Sequence, residues 1–218
     1  MRKTLQRILL TGFDPFGGET INPSWEAVCA LHGRRVAGHL VVARRLPTEF
    51  AASLDQLKAA LRELKPSIVL GVGQAGGRPQ LSLERVAINL QDARLPDNAG
   101  AQPIDEPVIA GAPAAYFSTL PLKAMLAALH DAGLPAEISH SAGTYVCNHV
   151  AYAMLHLVAT RRGVRAGFIH VPYLPAQATR LRCTASMAQA EVERGLLIAM
   201  RTAATTTVDR KLAGGSLD

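Results

Sequence analysis

Short runs that are apolar at every position alternate along the chain with longer stretches whose apolar residues recur every three or four places. No other feature constrains the fold as much. Residues 8–11, 40–43, 67–72, 137–139 and 166–170 have the length and character of strands. Between them, helices are predicted from Asn22-Pro23-Ser24 to about Leu31, over 50–64, 121–131, 147–162 and 186–204. The second carries Ala51, Leu54, Leu57, Leu61 and Leu64 on one face and stops at Lys65-Pro66. Strands and helices in this order predict a layered α/β domain. Residues 81–90 alternate (Leu81, Leu83 and Arg85 against Ser82 and Glu84) and then turn fully apolar, which predicts one more strand. Residues 91–118 are rich in Pro, Gly, Ala and Asp. A loop that long is a functional element, an assembly element or a missed strand pair. No repeat or linker divides the chain, so one catalytic-size domain is expected over residues 1–208, with 209–218 a frayed, flexible tail.

Composition excludes several classes. Hydrophobic residues make up 49% of the 218 residues and charged residues 18%, the reverse of a disordered chain and enough for a sizeable core. The formal charge is +6, but the basic residues stand in scattered pairs (Arg34–Arg35, Arg44–Arg45, Arg161–Arg162) and form no stripe. The charge therefore reads as a solubility feature, and no nucleic-acid partner is expected. No apolar run approaches the ~20 residues of a membrane span, so no membrane partner is expected either. After Arg2, Lys3 and Arg7 the apolar run 8–10 falls short of the ~7–15 residues of a signal peptide. Cys29, Cys147 and Cys183 are odd in number and widely spaced, with no Cys-x-x-Cys pair. That argues against a disulfide framework or a zinc site and fits a reducing cytoplasm.

The sharpest chemical signal is Ser141-Ala142-Gly143-Thr144-Tyr145-Val146-Cys147-Asn148. A small-residue turn follows a strand, and the cysteine falls where a helix begins. Free N–H groups and the positive end of the helix dipole favour a thiolate there, and the Cys147 N–H can face an oxyanion. Cys29, in mid-helix beside Val28 and Leu31, and Cys183, in a turn, read as packing residues.

A thiolate nucleophile needs a base and a group to orient it. Of the seven histidines, His32, His39 and His130 read as surface residues, and His140 lies on the strand side of the turn. His149 and His156 share the Cys147 helix, and the two-residue offset turns His149 to a different face. His170 closes an apolar strand, at the strand end where ligand chemistry collects in open α/β sheets, and position alone leaves it an open choice. Glu84 is a carboxylate within a run of Leu, Val and Ile, where an unpaired charge is costly. It either orients a base, or points out of the sheet and pairs with Arg85 or Arg94; the residues alone leave both open. Gly71-Val72-Gly73-Gln74-Ala75-Gly76 fits a dinucleotide fingerprint only if a helix starts at that turn. Arg78-Pro79 and the alternating 81–90 follow, so no cofactor site is expected. His140, His149 and His156 lack metal-ligand spacing and a nearby carboxylate, so no metal is expected.

Four segments together resemble the pyroglutamyl peptidase I (pyrrolidone-carboxylate peptidase) family of cysteine peptidases. They are Leu10-Thr11-Gly12-Phe13-Asp14-Pro15-Phe16-Gly17-Gly18 with Asn22-Pro23-Ser24-Trp25; Gly71 to Ala75 with Glu84 to Asn89; Asp92-Ala93-Arg94-Leu95-Pro96-Asp97-Asn98; and Ser141 to Asn148 with His170-Val171-Pro172-Tyr173-Leu174-Pro175. They occur in family order across nearly the whole chain. The resemblance implies a single-domain three-layer α/β/α sandwich with a mixed, largely parallel sheet. It implies a triad of Cys147 as nucleophile, His170 as base and Glu84 as orienter, acting without metal or cofactor. It further implies removal of N-terminal pyroglutamate from small peptides by a cytoplasmic homotetramer. Phe13 and Phe16 would wall the acyl pocket, with Gln74, Tyr145 and Val146 around the ring. The oxyanion would fall to the Cys147 N–H and the Arg94 region. Ala176, where the family often has an acidic residue, and Ala185-Ser186-Met187, in place of Pro-Ser-Met, depart from the pattern away from the triad. Two other readings stand beside it: a Cys/His amidase of another acyl group on the same fold, and a non-catalytic nucleotide-binding module.

Overall fold

The computed structural model describes residues 5–181 and 184–214; Cys183 and the last four residues of the expected tail lie outside them. Strands and helices follow in the order β1 (Gln6–Phe13), α1 (Pro23–Ala30), β2 (Arg35–Val36), β3 (His39–Leu46), α2 (Phe50–Leu64), β4 (Ile68–Gln74), β5 (Leu81–Glu84), β6 (Val86–Ile88) and β7 (Ala115–Phe117). Then come α3 (Leu122–Asp131), β8 (Ala136–Ser139), α4 (Val146–Val158), β9 (Arg165–Val171), α5 (Pro175–Ala178) and α6 (Gln189–Thr205).

Seven strands form one sheet in the order β2-β3-β1-β4-β9-β5-β8. β3, β1, β4 and β9 are parallel, whereas β5 runs antiparallel to β9 and carries β8 parallel to itself. The apolar faces of α1, α3 and α6 bury Val28, Met125, Leu129, Val192 and Leu196 against one side of the sheet. α2 and α4 bury Leu57, Leu61, Val150 and Met154 against the other. These three layers explain why the central strands are apolar at every position: both of their faces are covered.

Local chemistry sets the helix boundaries. Asn22 Oδ1 accepts from the Ser24 N–H at 3.1 Å, with Pro23 in the first turn, and α1 starts there. α2 ends where Lys65 turns left-handed (φ 45°) ahead of Pro66. Two helices take their N-terminal caps from far along the chain. Asp97 accepts from the Phe50 N–H (2.8 Å) at the start of α2. Asp209 accepts from the N–H groups of Lys123 (3.1 Å) and Ala124 (2.9 Å) at the start of α3.

Some expectations change. The strand expected over 81–90 is two strands in two sheets. Residues up to Glu84 pair in the main sheet, whereas β6 leaves it and pairs antiparallel with β7. That pairing, with the Gln91↔Glu106 bridge, occupies part of the long 91–118 segment. α4 stops at Val158, four residues short of the expected end. His39 is buried and opens β3 rather than lying on the surface. Cys29 is exposed, because it lies on the outer face of α1 and not among its packed residues. The turn after Gly73 leads into β5 with no helix, and Gly71 and Gly73 lie within β4 itself. The element that follows the turn is therefore a strand, and the βα order of a dinucleotide fingerprint is not present there.

Candidate active site

Strand register places the polar groups. Gly73 of β4 lies beside His170 of β9, and Gly71 beside Phe168. On the other flank Ser82 of β5 is opposite His170, and Glu84 is opposite Phe168. Side chains alternate along a strand, so Glu84, Phe168 and His170 share one face with the two glycines, the face that α4 covers. There the His170 Nδ1–H donates to Glu84 Oε1 at 2.7 Å. Both residues are nearly sealed, at 4% and 3% exposed.

The sulfur comes from the helix above. A methyl group added at Gly73 would lie 2.7 Å from Cys147 Sγ and 2.9 Å from the Phe168 ring. Glycine at 73 is therefore what lets the sulfur settle on the sheet next to His170. The imidazole hydrogen-bonds Glu84 through Nδ1 and Cys147 on its other side. Burial by itself would lower its pKa. Electrostatic interaction with the Cys147 sulfur, the hydrogen bond to it and then Glu84 outweigh burial and hold His170 up at about 9. At neutral pH the imidazole is thus a cation that donates one N–H to the carboxylate and the other towards the sulfur.

Cys147 is the second residue of α4, and no side chain caps the Tyr145 end of that helix. Its first N–H groups stay available for a developing oxyanion. Tyr145 forms part of the surround. Its hydroxyl donates to the Pro96 carbonyl at 3.1 Å, and its ring meets Phe50 edge-on at 5.5 Å and Phe16 at 6.0 Å. Burial, then the charges of Asp97 and Cys147, push its phenol up to about 12, so it stays neutral. Phe16 and Tyr145 are half-buried and side by side, Phe13 is buried against Phe168, and Val146 is fully buried at the head of α4. Gln74 closes β4 with its side chain on the face opposite the sulfur, where Gln177 Nε2 donates to its Oε1 at 3.1 Å.

Other residues singled out from the sequence lie elsewhere. His149 Nδ1 donates to Gln91 Oε1 at 2.9 Å, its ring packs edge-on to Phe50, and it turns away from the sulfur. Burial lowers its pKa to about 4. His140 is exposed, and His156 pairs with the Tyr116 hydroxyl at 3.0 Å. Arg94 is exposed and bonds to nothing among the described residues. Its segment is nonetheless tied to the nucleophile's turn, because the Asp92 N–H donates to the Thr144 carbonyl and Thr144 Oγ1 donates to the Asp92 carbonyl.

Two contributors escaped the sequence reading. Arg78, not Arg85 or Arg94, is the cation on Glu84: Nη1 donates to Oε1 at 2.8 Å. Asn148 is fully buried and acts as a backbone surrogate. It accepts from the Ile88 N–H and donates to the Ile88 and Leu90 carbonyls, fixing the start of α4 to the chain beyond β6. Its place directly after the cysteine, at a helix start, was the available signal. For Arg78 there was none, since only the fold brings the turn after β4 over β5.

A mixed, mostly parallel α/β sheet that sets a helix-borne sulfur beside a carboxylate-held imidazole belongs to the class of α/β cysteine peptidases. Comparison with known proteins narrows the class. The pyroglutamyl peptidase family model matches residues 6–206. The chain is 54% identical over 209 residues to a pyrrolidone-carboxylate peptidase of Klebsiella pneumoniae, covering 96% of this chain and 98% of that one. It is 55% identical over 215 residues to one of Cupriavidus pinatubonensis, covering 98% and 100%. The crystal structure of pyroglutamyl peptidase I from Bacillus amyloliquefaciens superposes with a TM-score of 0.93 at 44% identity, over 96% of this chain and all of that one. The chain belongs to the pyroglutamyl peptidase family.

Proposed function

We propose that the protein removes an N-terminal pyroglutamyl residue from small peptides, with Cys147 as nucleophile, His170 as acid and base, and Glu84 as orienter. The observation that carries the reading is the buried line from Glu84 through His170 to a sulfur at an uncapped helix start. Cys147 Sγ adds to the acyl carbon, and the negative oxygen that forms is met by the Cys147 N–H. The His170 Nε2 proton passes to the departing amine as the C–N bond breaks, leaving a thioester and a neutral imidazole. That imidazole then takes a proton from water, whose oxygen displaces sulfur and releases pyroglutamate. Arg94 has no part in the resting geometry; as a second oxyanion donor it would have to enter with the substrate.

The acyl group is a neutral lactam without a free α-amine, which suits a pocket walled by Phe16, Tyr145 and, from beneath, Phe13. In this reading Gln74 serves through the strand end beside the sulfur, and Val146 through the helix start. Proline lacks the lactam carbonyl and would leave pocket donors unpaired, a discrimination that reaches about 10⁴–10⁵ in comparable sites. A cytoplasmic homotetramer is part of the same proposal. It is supported by free thiols at Cys29 and Cys147 and by the exposed Phe117 and Ile104 on the long excursion.

The test is hydrolysis of pyroglutamyl, prolyl and acetyl anilides with and without prior treatment with iodoacetamide. Cleavage of the first alone, abolished by alkylation, is expected. Preference for the acetyl compound would make the protein an amidase of another acyl group, and activity indifferent to alkylation would remove the nucleophile.

A further inference from the structure

Glu84 holds its charge in an unusual way. Both of its cationic partners bind the same oxygen: His170 Nδ1 at 2.7 Å and Arg78 Nη1 at 2.8 Å meet on Oε1. The other oxygen, Oε2, is buried and has no hydrogen-bond partner among the described residues. A carboxylate sealed from water is costly unless its charge is met, so Arg78 and His170 together carry what solvent does not supply.

Arg78 also reaches further. The same Nη1 lies 3.3 Å from Ser139 Oγ at the end of β8, and Nη2 donates to the Ser141 carbonyl at 2.9 Å. Ser141 opens the turn that delivers Cys147. One planar fork therefore spans the carboxylate that orients the base and the turn that carries the nucleophile, two segments that otherwise approach from different strands. An ammonium group could carry the charge but not both directions at once.

We propose that Arg78 is a positioning residue of the catalytic site: it shares the orienting carboxylate with His170 and locks the nucleophile's turn to it. The proposal rests on the roles assigned above to Cys147, His170 and Glu84. Few other charges bear on this pair. α4 contributes Cys147, while its His149 faces Gln91. β4 contributes only Gly73, and β9 contributes Phe168 edge-on to His170. On β8, Glu137 is occupied by Gln80 and Ser82, and Ser139 is neutral. Tyr173 packs over Gly76 in the turn that carries Arg78. Removing the guanidinium thus leaves His170 with an unshared carboxylate, which favours its protonated form, and takes one tie from the 139–141 turn, which keeps the β5–β8 pairing and the Ser139 Oγ contacts.

Steady-state kinetics on a pyroglutamyl anilide across pH, for Arg78→Gln and Arg78→Lys, test this. Arg78→Gln is expected to lower kcat roughly tenfold or more with KM within about threefold, and to move the alkaline limb of kcat upward by about half a pH unit or more. Arg78→Lys keeps the charge and loses the fork, so kcat should fall while the alkaline limb stays in place. Wild-type kcat in either variant, a loss confined to KM, or an unmoved alkaline limb in Arg78→Gln overturns the proposal. If Arg78→Gln does not fold, Arg78→Lys carries the test alone. Turnover surviving in Cys147→Ala would instead overturn the underlying triad, an outcome the Arg78 variants cannot mimic.

Discussion

At the scale of single residues the site divides into groups that change charge and groups that hold them. Cys147→Ala should abolish anilide hydrolysis while leaving the circular dichroism spectrum unchanged. His170→Ala should cost several orders of magnitude in kcat/KM and His149→Ala little; the reverse ranking would exchange their roles. Glu84→Gln should lower kcat and spare KM, since it alters the imidazole and not the acyl pocket. His149 has a different consequence. Its pKa is about 4 in the folded protein, below the ordinary value of about 6.5, so the unfolded chain binds the extra proton first as pH falls. Stability from this source is complete above pH 6.5 and is lost as pH falls through that window towards 4, by at most about 3 kcal/mol. Urea unfolding at pH 7 and 4.5 should show that loss in the wild type and a smaller one in His149→Leu.

At the scale of elements, glycine in β4 illustrates how a strand makes room. Gly71→Ala would drive a methyl to 2.5 Å from the Phe168 ring, and Gly73→Ala to 2.7 Å from Cys147 Sγ. Both should destabilise the fold through overpacking by roughly 1–3 kcal/mol, read as a lower melting temperature. Only Gly73→Ala moves the sulfur, so it should also depress kcat well beyond any loss of folded fraction. This distinction was not legible in the sequence, where Gly71 fell inside the strand expected over 67–72 and nothing marked what either glycine would face. The helix over 50–64 was legible, because its apolar spacing and the Lys65-Pro66 stop are local signals. The break at Arg85 was not, because neither glycine nor proline marks it; the chain leaves the sheet by pairing with residues some thirty positions on. The sulfur and imidazole could be picked out as candidates from their places at a helix start and a strand end. The direction of β5, which brings Glu84 and Arg78 to them, is a property of the assembled sheet.

For the molecule as a whole, the sheet separates two apolar layers, and the site lies on the side covered by α2 and α4. The long excursion between β6 and β7 serves that side. Asp97 caps α2, Pro96 receives the Tyr145 hydroxyl, and Asp92 grips Thr144. Further along, Phe117 is 69% exposed and Ile104 71%. If these side chains are covered in a homotetramer, light scattering should give four chain masses for the wild type and fewer for a Phe117→Asp, Ile104→Asp double variant. Light scattering that gives one chain mass for the wild type would end that part of the proposal. The outward-facing thiol of α1 matters to anyone who labels the protein. Reagents that tag sulfur should mark two positions among the described residues, and only one of them ought to be protected when a pyroglutamyl ligand fills the acyl pocket. Peptide mapping with and without that ligand should therefore show Cys29 modified in both samples and Cys147 in one.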